Sequence, residues 1–438
     1  MPTIAFATLG CRVNQYDTDS MRGLFLSEGF TDADFNDMAD VYVINTCSVT
    51  QMGEKKSRQL IRRAKKRNPL SKVIVTGCYA QLDPKLLAAM EGVDAVIGTN
   101  EKKQIVSIVT QLLRKNDIET IQAVHNVLQP DAFEEIPLYP SAVEHTRADL
   151  KIQEGCNNFC TYCIIPYTRG GLKSRQPDAV VAEAKRLISF GFKELVLTGI
   201  HLGAYGKELP EKPTLALILR RLLQETDVQR IRLGSVESLE VDDDLIDVIN
   251  SSSRICPHLH LPIQSGSDTI LKAMKRHYTK AEFIDLIRIL RQRIHGLTIS
   301  TDLILGFPGE TDALFAETME TLRLLRFSHI HAFPYSPRKG TPAAVMKQQV
   351  PQEIKKKRVE MVNALSAVQK DELLQRMLGS TVQVLIETQT DSKGEGFSEN
   401  YERVCVDGLP AACEGKIVAV ELQQADNHIL FGTYKEEL

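Results

Sequence analysis

With 438 residues, 43% hydrophobic and 25% charged, and a formal net charge of −3, the chain has an ordinary globular composition and exceeds what one core organises, so two or three domains are expected. No apolar run approaches the roughly 20 residues of a spanning helix, and Met1 to Gly10 lacks a basic stretch leading into an apolar core, so no membrane partner is expected and the cytoplasm is the expected location. Nine cysteines, an odd number, argue for metal binding or catalysis over a disulfide framework.

The first 115 residues alternate apolar runs, at Ile4 to Thr8, Val41 to Thr46, Val73 to Thr76 and Ala95 to Ile97, with amphipathic segments. That alternation predicts an α/β unit over 1–115, an open parallel sheet flanked by helices. Cys11, Cys47 and Cys78 follow the first three strands, in TLGCRVN, VINTCSV and VTGCYA. Neighbouring parallel strands end on one side, where ligand sites of such sheets lie, so these distant thiols can converge on a cluster. Separate burial as small apolar side chains is the alternative. Between them Lys55, Lys56, Arg58, Arg62, Arg63, Lys65, Lys66 and Arg67 crowd one helical stretch, and Lys355 to Arg358 form a second basic run. Each is either a footprint for a polyanion or a solvated helix face.

Residues 116–146, with Pro130, Pro137 and Pro140 and little periodicity, read as a linker. Over 147–370 the alternation resumes, with strands near Leu150 to Gln153, Leu195 to Thr198, Ile231 to Ser235, His258 to Ile263, Thr298 to Ile304 and His329 to Phe333. About six βα units predict a partial (β/α)6 barrel. A helical stretch from Gln352 to Met377 precedes short strands at Thr381 to Glu387, Arg403 to Val406, Lys416 to Leu422 and His428 to Tyr434, which fit a small antiparallel β-barrel over 371–438.

The run GCNNFCTYC sets Cys156, Cys160 and Cys163 in a C-x3-C-x2-C spacing just after the first strand of the second unit. Three thiolates so close in sequence hold three irons of a 4Fe-4S cluster and leave the fourth open for catalysis. Zinc would call for a fourth ligand, and no histidine lies close by in sequence. Cys256, Cys405 and Cys413 read as structural, and His258 and His260, alternating on one strand, as packed histidines of the barrel interior.

This spacing resembles the radical S-adenosylmethionine (SAM) superfamily. There the open iron chelates the amino and carboxylate groups of SAM, and one electron releases methionine and a 5′-deoxyadenosyl radical. Together with the N-terminal pattern, GCNNFCTYCIIPYTRG and HLPIQSGSDTILKAMKRHYT make nearly the whole chain similar to the methylthiotransferases of that superfamily. The resemblance implies a second 4Fe-4S cluster on Cys11, Cys47 and Cys78, a C-terminal TRAM barrel that binds RNA, and Tyr162 against the SAM adenine. It also implies SAM contacts at Gly199, Ser235, Glu237, Gln264, Asp302 and Gly306. The reaction it implies places a methylthio group on C2 of a tRNA adenosine at position 37, a carbon where acid/base chemistry has no purchase and a cofactor must supply the hard step. The target base must be splayed out of an anticodon stem-loop. A flavodoxin- or ferredoxin-like electron donor and a sulfur donor are implied as partners, the latter unnamed by the sequence.

Within the family three substrates compete: threonylcarbamoyladenosine, isopentenyladenosine and a ribosomal-protein aspartate. TLGCRVNQYDT and SENYERV resemble the threonylcarbamoyl branch. Arg12, directly after a proposed ligand, fits that branch, because a guanidinium suits the carboxylate of the threonylcarbamoyl group. A pair with a nearby acid such as Asp17 is its alternative. Outside the family stand a cluster-bearing RNA-binding protein without catalysis, disfavoured by the intact C-x3-C-x2-C, and a cobalamin-dependent radical SAM methyltransferase, disfavoured by the absence of a D-x-H-x-x-G run. Residues 371–438 hold thirteen Asp or Glu against five Lys or Arg, so charge alone does not make the terminal barrel grip phosphates. Asn400, Tyr401 and Arg403 offer a local patch instead.

Overall fold

The computed structural model describes residues 1–114, 119–129, 131–139 and 146–438. Six strands, β1 (Thr3–Thr8), β2 (Thr31–Ala33), β3 (Val41–Thr46), β4 (Lys72–Gly77), β5 (Ala95–Ile97) and β6 (Ile121–Ala123), form a parallel sheet in the order β2-β1-β3-β4-β5-β6. Successive residues of each inner strand serve opposite cores. Ile4, Val41, Val43 and Ile74 pack against Met21 and Phe25 on one face, while Ala5, Tyr42, Ile44, Val73 and Val75 pack against Ile61, Ala64 and Leu87 on the other. Burial on both faces explains why these strands read as unbroken apolar runs.

The segment expected to be a linker is not merely one. β6 lies inside it and closes the sheet beside β5, and Val127, Ile136 and Leu138 are buried. Pro130 and Pro140 of that expectation lie outside the described residues, as do 116–118 and 141–145.

The second unit begins with β7 (Ala148–Lys151), followed by a short antiparallel ribbon of β8 (Gln153–Glu154) and β9 (Lys173–Ser174). Then come β10 (Glu194–Thr198), β11 (Arg230–Leu233), β12 (His258–His260), β13 (Thr298–Leu305) and β14 (His329–Pro334). They pair in parallel as β7-β10-β11 and β12-β13-β14, with bridges Ile231–Ile255 and Ser235–His260 joining the two sheets. The result is the six-stranded partial barrel read from the sequence. Its core carries Leu150, Leu197, Ile231, Leu259, Ile299 and Ile330 against the surrounding helices.

Helix Gln352–Met377 crosses from β14 to the C-terminal unit. There β15 (Thr381–Thr390), β16 (Lys393–Ser398), β17 (Arg403–Asp407), β18 (Ile417–Asp426) and β19 (Ile429–Glu437) close a barrel in the order β15-β16-β17-β19-β18. Among the described residues no helix is long and apolar enough to cross a membrane.

Candidate active site

The loops after β1 and β3 are stapled together by one side chain. Asn14 Nδ2 donates to the carbonyl of Leu9 at 2.6 Å and to that of Thr46 at 3.0 Å, which sets Cys11 and Cys47 side by side. Gly10 and Gly77, both with positive φ, allow the approach: a Cβ on Gly10 would lie 3.3 Å from Cys47 Sγ, and one on Gly77 would lie 2.3 Å from Asn45 Oδ1. Cys78 opens the helix after β4. The three strand-end thiols therefore converge. Burial, then the thiols of Cys78 and Cys11, push Cys47 up to about 11.

Arg169, which the sequence did not single out, seals this site from the other side. Its side chain is fully buried, and its Nε donates to Cys78 Sγ at 3.3 Å. Nη1 reaches Asp17 Oδ2 at 2.9 Å and Glu154 Oε1 at 2.8 Å, and Nη2 bonds Asn14 Oδ1. Lys151 and Lys102 complete a buried ionic cluster around Asp17.

The C-x3-C-x2-C loop is pinned to the helix Asp268–Ala273 and the residue after it by Thr161, whose N donates to the Met274 carbonyl at 3.0 Å and whose Oγ1 donates to the Ala273 carbonyl at 2.9 Å. Cys156 Sγ lies 3.6 Å from His201 Nδ1, and His201 Nε2 lies 3.1 Å from Glu240. Burial opposes a charge on His201, but Cys156 and Glu240 outweigh it and raise the imidazole to about 9. Cys160 Sγ accepts from Arg276 Nη1 at 3.6 Å, and the same guanidinium clamps Glu237. Burial pushes Cys163 up to about 12.

Both sets open on one cavity of about 830 Å³, lined by Cys11, Cys156, Cys160 and Cys163. Of the other residues expected at the site, Arg12, Tyr162, Gly199, Ser235, Glu237, Gln264 and Asp302 also line it. Gln264 holds a left-handed φ of 62°, fixed by its N donating to the Asp302 carbonyl at 2.9 Å and its carbonyl accepting from Ile304 N at 3.0 Å. Such backbone strain persists where the surroundings over-determine it, as at ligand sites. Of the strand-end thiols only Cys11 is in the lining; Cys47 is half-buried and Cys78 buried. Gly306 is not in the lining either: its turn faces helix Gln352–Met377, where a Cβ would meet Lys355 Cγ at 2.4 Å.

Arg12 pairs with Asp149 at 3.1 Å and donates to the Tyr401 hydroxyl at 2.5 Å, not with Asp17. The wall facing it holds four histidines. His258 Nε2 and His260 Nδ1 both contact Ser300 Oγ, at 3.1 and 2.9 Å, while His329 and His331 project from β14 into the cavity. Burial, then the charge of His331, lowers His329 to about 4, so at neutral pH it offers uncharged hydrogen-bonding atoms. Neither His329 nor His331 carried a signal in the sequence beyond its place on a strand. The terminal barrel contributes Phe397, Tyr401, Glu402, Arg403 and His428, so the cavity is walled by all three parts of the chain.

Among the described residues, the one ligand set with all its donor atoms within 4.8 Å of one another is His260, Asp302 and His331. The two cysteine sets are spread more widely. A tetrahedral zinc with Zn–S bonds of about 2.3 Å would hold its sulfurs about 3.8 Å apart. Three thiols spread more widely than one ion spans fit a larger iron–sulfur cluster and disfavour zinc.

Residues 3–98 match the uncharacterized protein family UPF0004, and residues 150–322 match the radical SAM superfamily. The chain is 42% identical over 430 residues to the threonylcarbamoyladenosine tRNA methylthiotransferase MtaB of Bacillus subtilis, covering 97% of this chain and 94% of that protein. It is 38% identical to the MtaB of Aquifex aeolicus, covering 90% and 97% of the two chains. To a tRNA-2-methylthio-N(6)-dimethylallyladenosine synthase of Pelotomaculum thermopropionicum it is 36% identical, covering 95% and 94%. In fold it is similar to the radical SAM methyltransferase TsrM of Kitasatospora setae, with a TM-score of 0.57 at 14% identity over 78% of this chain and 77% of that one. The chain belongs to the methylthiotransferase family of radical SAM enzymes.

Proposed function

We propose that this enzyme places a methylthio group on C2 of N6-threonylcarbamoyladenosine at position 37 of tRNA, using two 4Fe-4S clusters and SAM. The observation that carries the reading is the single cavity on which Cys11 and the loop thiols Cys156, Cys160 and Cys163 both open. The Bacillus subtilis and Aquifex aeolicus relatives act, by name, on threonylcarbamoyladenosine tRNA, and their identity to this chain exceeds that of the Pelotomaculum dimethylallyladenosine synthase.

In this reading Cys156, Cys160 and Cys163 hold the SAM-binding cluster, and Cys11, Cys47 and Cys78 hold the auxiliary one. When bound, the clusters and SAM supply the one-electron chemistry that an unactivated aromatic C–H demands. The chain's own work is orientation. Arg276 fixes Glu237 and steadies Cys160, His201 steadies Cys156, and Gln264, Ser235, Asp302 and Gly199 line the strand ends where SAM would lie. Arg12, at the edge of the auxiliary site, is placed to read the substrate carboxylate. The histidine wall and Tyr401 enclose the base, which must leave its stack to enter. A flavodoxin- or ferredoxin-like electron donor and a separate sulfur donor complete the reaction, and the sheet unit is taken to run to Ala123, past the expected boundary at 115.

Nucleoside mass spectrometry of tRNA from a deletion strain, and from the strain complemented with this gene, tests the function. The methylthio form of threonylcarbamoyladenosine is expected to vanish and return. Loss of methylthio-isopentenyladenosine instead would move the enzyme to the sister branch.

A further inference from the structure

The two cysteine sets lie on different parts of the chain, yet one short stretch touches both. Helix Ile165–Arg169 begins two residues after Cys163 and ends on Arg169, whose guanidinium reaches back to Cys78. The helix that starts at Cys78 packs against it, and Thr99 Oγ1 donates to the Thr168 carbonyl at 2.9 Å.

We infer that Arg169 is a positioning residue for the auxiliary cluster, which through its N–H···S bond to Cys78 makes that cluster easier to reduce. The inference rests on the assignment of Cys11, Cys47 and Cys78 as ligands, made above. Hydrogen bonds to cluster sulfurs and local net charge are main determinants of cluster potential, and a cation on a ligand sulfur stabilises the reduced, more negative state. The guanidinium is held in its fork by Asp17, Glu154 and Asn14, so it cannot swing away, and a guanidinium does not lose its proton in a protein. Around it Lys151 and Lys102 answer Asp17, Glu154 and Glu134, and only with Arg169 itself do three cations face three carboxylates, so the effect on the cluster rests on the hydrogen bond to sulfur rather than on surplus charge. The direct contact at 3.3 Å is what distinguishes Cys78 from Cys11 and Cys47.

Removing the cation alone would strand two buried carboxylates, so the test pairs two substitutions. In the full-length chain carrying C156A, C160A and C163A, only the auxiliary cluster remains. Arg169→Met with Asp17→Asn is then compared with that parent by iron analysis and by a redox titration followed by electron paramagnetic resonance. The double substitution is expected to keep about four irons and to titrate at lower potential, with Arg169→Lys lying between it and the parent. An unchanged midpoint would overturn the inference. Should the double substitution lose its iron, the parent grown with 15N-arginine decides: a 15N coupling to the reduced cluster supports the contact, and its absence overturns it. A parent without iron would instead overturn the ligand assignment, and the inference with it.

Discussion

Arg232 lies beneath the ring of Tyr401, with its guanidinium carbon 4.6 Å from the ring centroid, while its two terminal nitrogens donate to the carbonyls of Ser398 and Glu399. Arg230 grips the carbonyls of Gln383 and Phe397 in the same way. The terminal barrel is thus held to the central unit by two buried arginines of β11. Both are answered by Glu194, which is 0% exposed.

Glu194→Gln should therefore loosen the barrel as well as destabilise the chain. Removing one partner of a buried ion pair costs about 3 to 5 kcal/mol, and here two arginines lose their carboxylate. Burial works against ionisation of Glu194, but Arg232 and Arg230 outweigh it and hold the carboxylate at about 2, below its ordinary 4.5. Because the folded form binds its proton later than the unfolded form, this contribution is whole above about pH 4.5 and fades as pH falls toward 2. Urea denaturation at neutral and acid pH checks the sign: the difference between wild type and variant should shrink on acidification.

Anaerobic reconstitution should give about eight irons per chain, and about four after Cys156, Cys160 and Cys163 are all changed to Ala. One zinc in the wild type, or eight irons in the triple variant, would contradict the cluster assignment.

Cys47 is not in the cavity lining and follows β3 of the sheet unit, whereas the loop of residues 156–163 belongs to the central unit. Cys47→Ala is expected to keep SAM cleavage to 5′-deoxyadenosine while abolishing methylthio transfer to RNA. Chromatography of both products from one reaction separates the two activities, and normal methylthio transfer would make the auxiliary site dispensable.

Helix Gln51–Arg67 starts four residues after Cys47, and Arg62, Arg63 and Lys66 are exposed along it. Neutralising these three should weaken tRNA binding and lower the dependence of affinity on salt, since fewer counterions are released. Titrations at several salt concentrations give the slope, and an unchanged slope would leave the helix as a solvated face.

Arg12 keeps one carboxylate partner, Asp149, and one neutral partner, the Tyr401 hydroxyl. A substrate carboxylate competes well with a neutral phenol, because charge-assisted hydrogen bonds are about twice as strong. Arg12→Gln should lower affinity for RNA bearing the threonylcarbamoyl group more than tenfold, about 1.4 kcal/mol or more. Equal losses on RNA lacking the group would mean that Arg12 does not read the carboxylate.

What the sequence made legible was local. Six apolar runs gave the partial barrel, and the positions of Cys11, Cys47 and Cys78 just past three strands foretold their convergence. β6 escaped because Ile121–Ala123 is three residues long and has no periodicity of its own. β16 escaped because KGEGFS carries two glycines, which disfavour strands. They are required there by space: a Cβ on Gly396 would lie 1.8 Å from the Leu385 carbonyl oxygen, and one on Gly394 would lie 2.6 Å from Leu409 Cδ1. The partners of Arg169 stand 15 to 155 residues away, and no spacing rule reaches so far. Gly306 turns toward helix Gln352–Met377, a packing contact that a turn glycine after a barrel strand does not announce in sequence.

Tyr401, Glu402, Arg403 and His428 come late in the chain, yet they wall the cavity onto which the loop of residues 156–163 opens. Chains fold from the N-terminal side as they are made. A nascent enzyme thus has all six proposed cluster ligands folded while the chamber above them still stands open, and the ribosome must deliver β17 and β19 before that chamber has its last wall. A chain truncated after Met377 would lack that wall permanently, since Phe397, Tyr401, Glu402, Arg403 and His428 all lie beyond the cut.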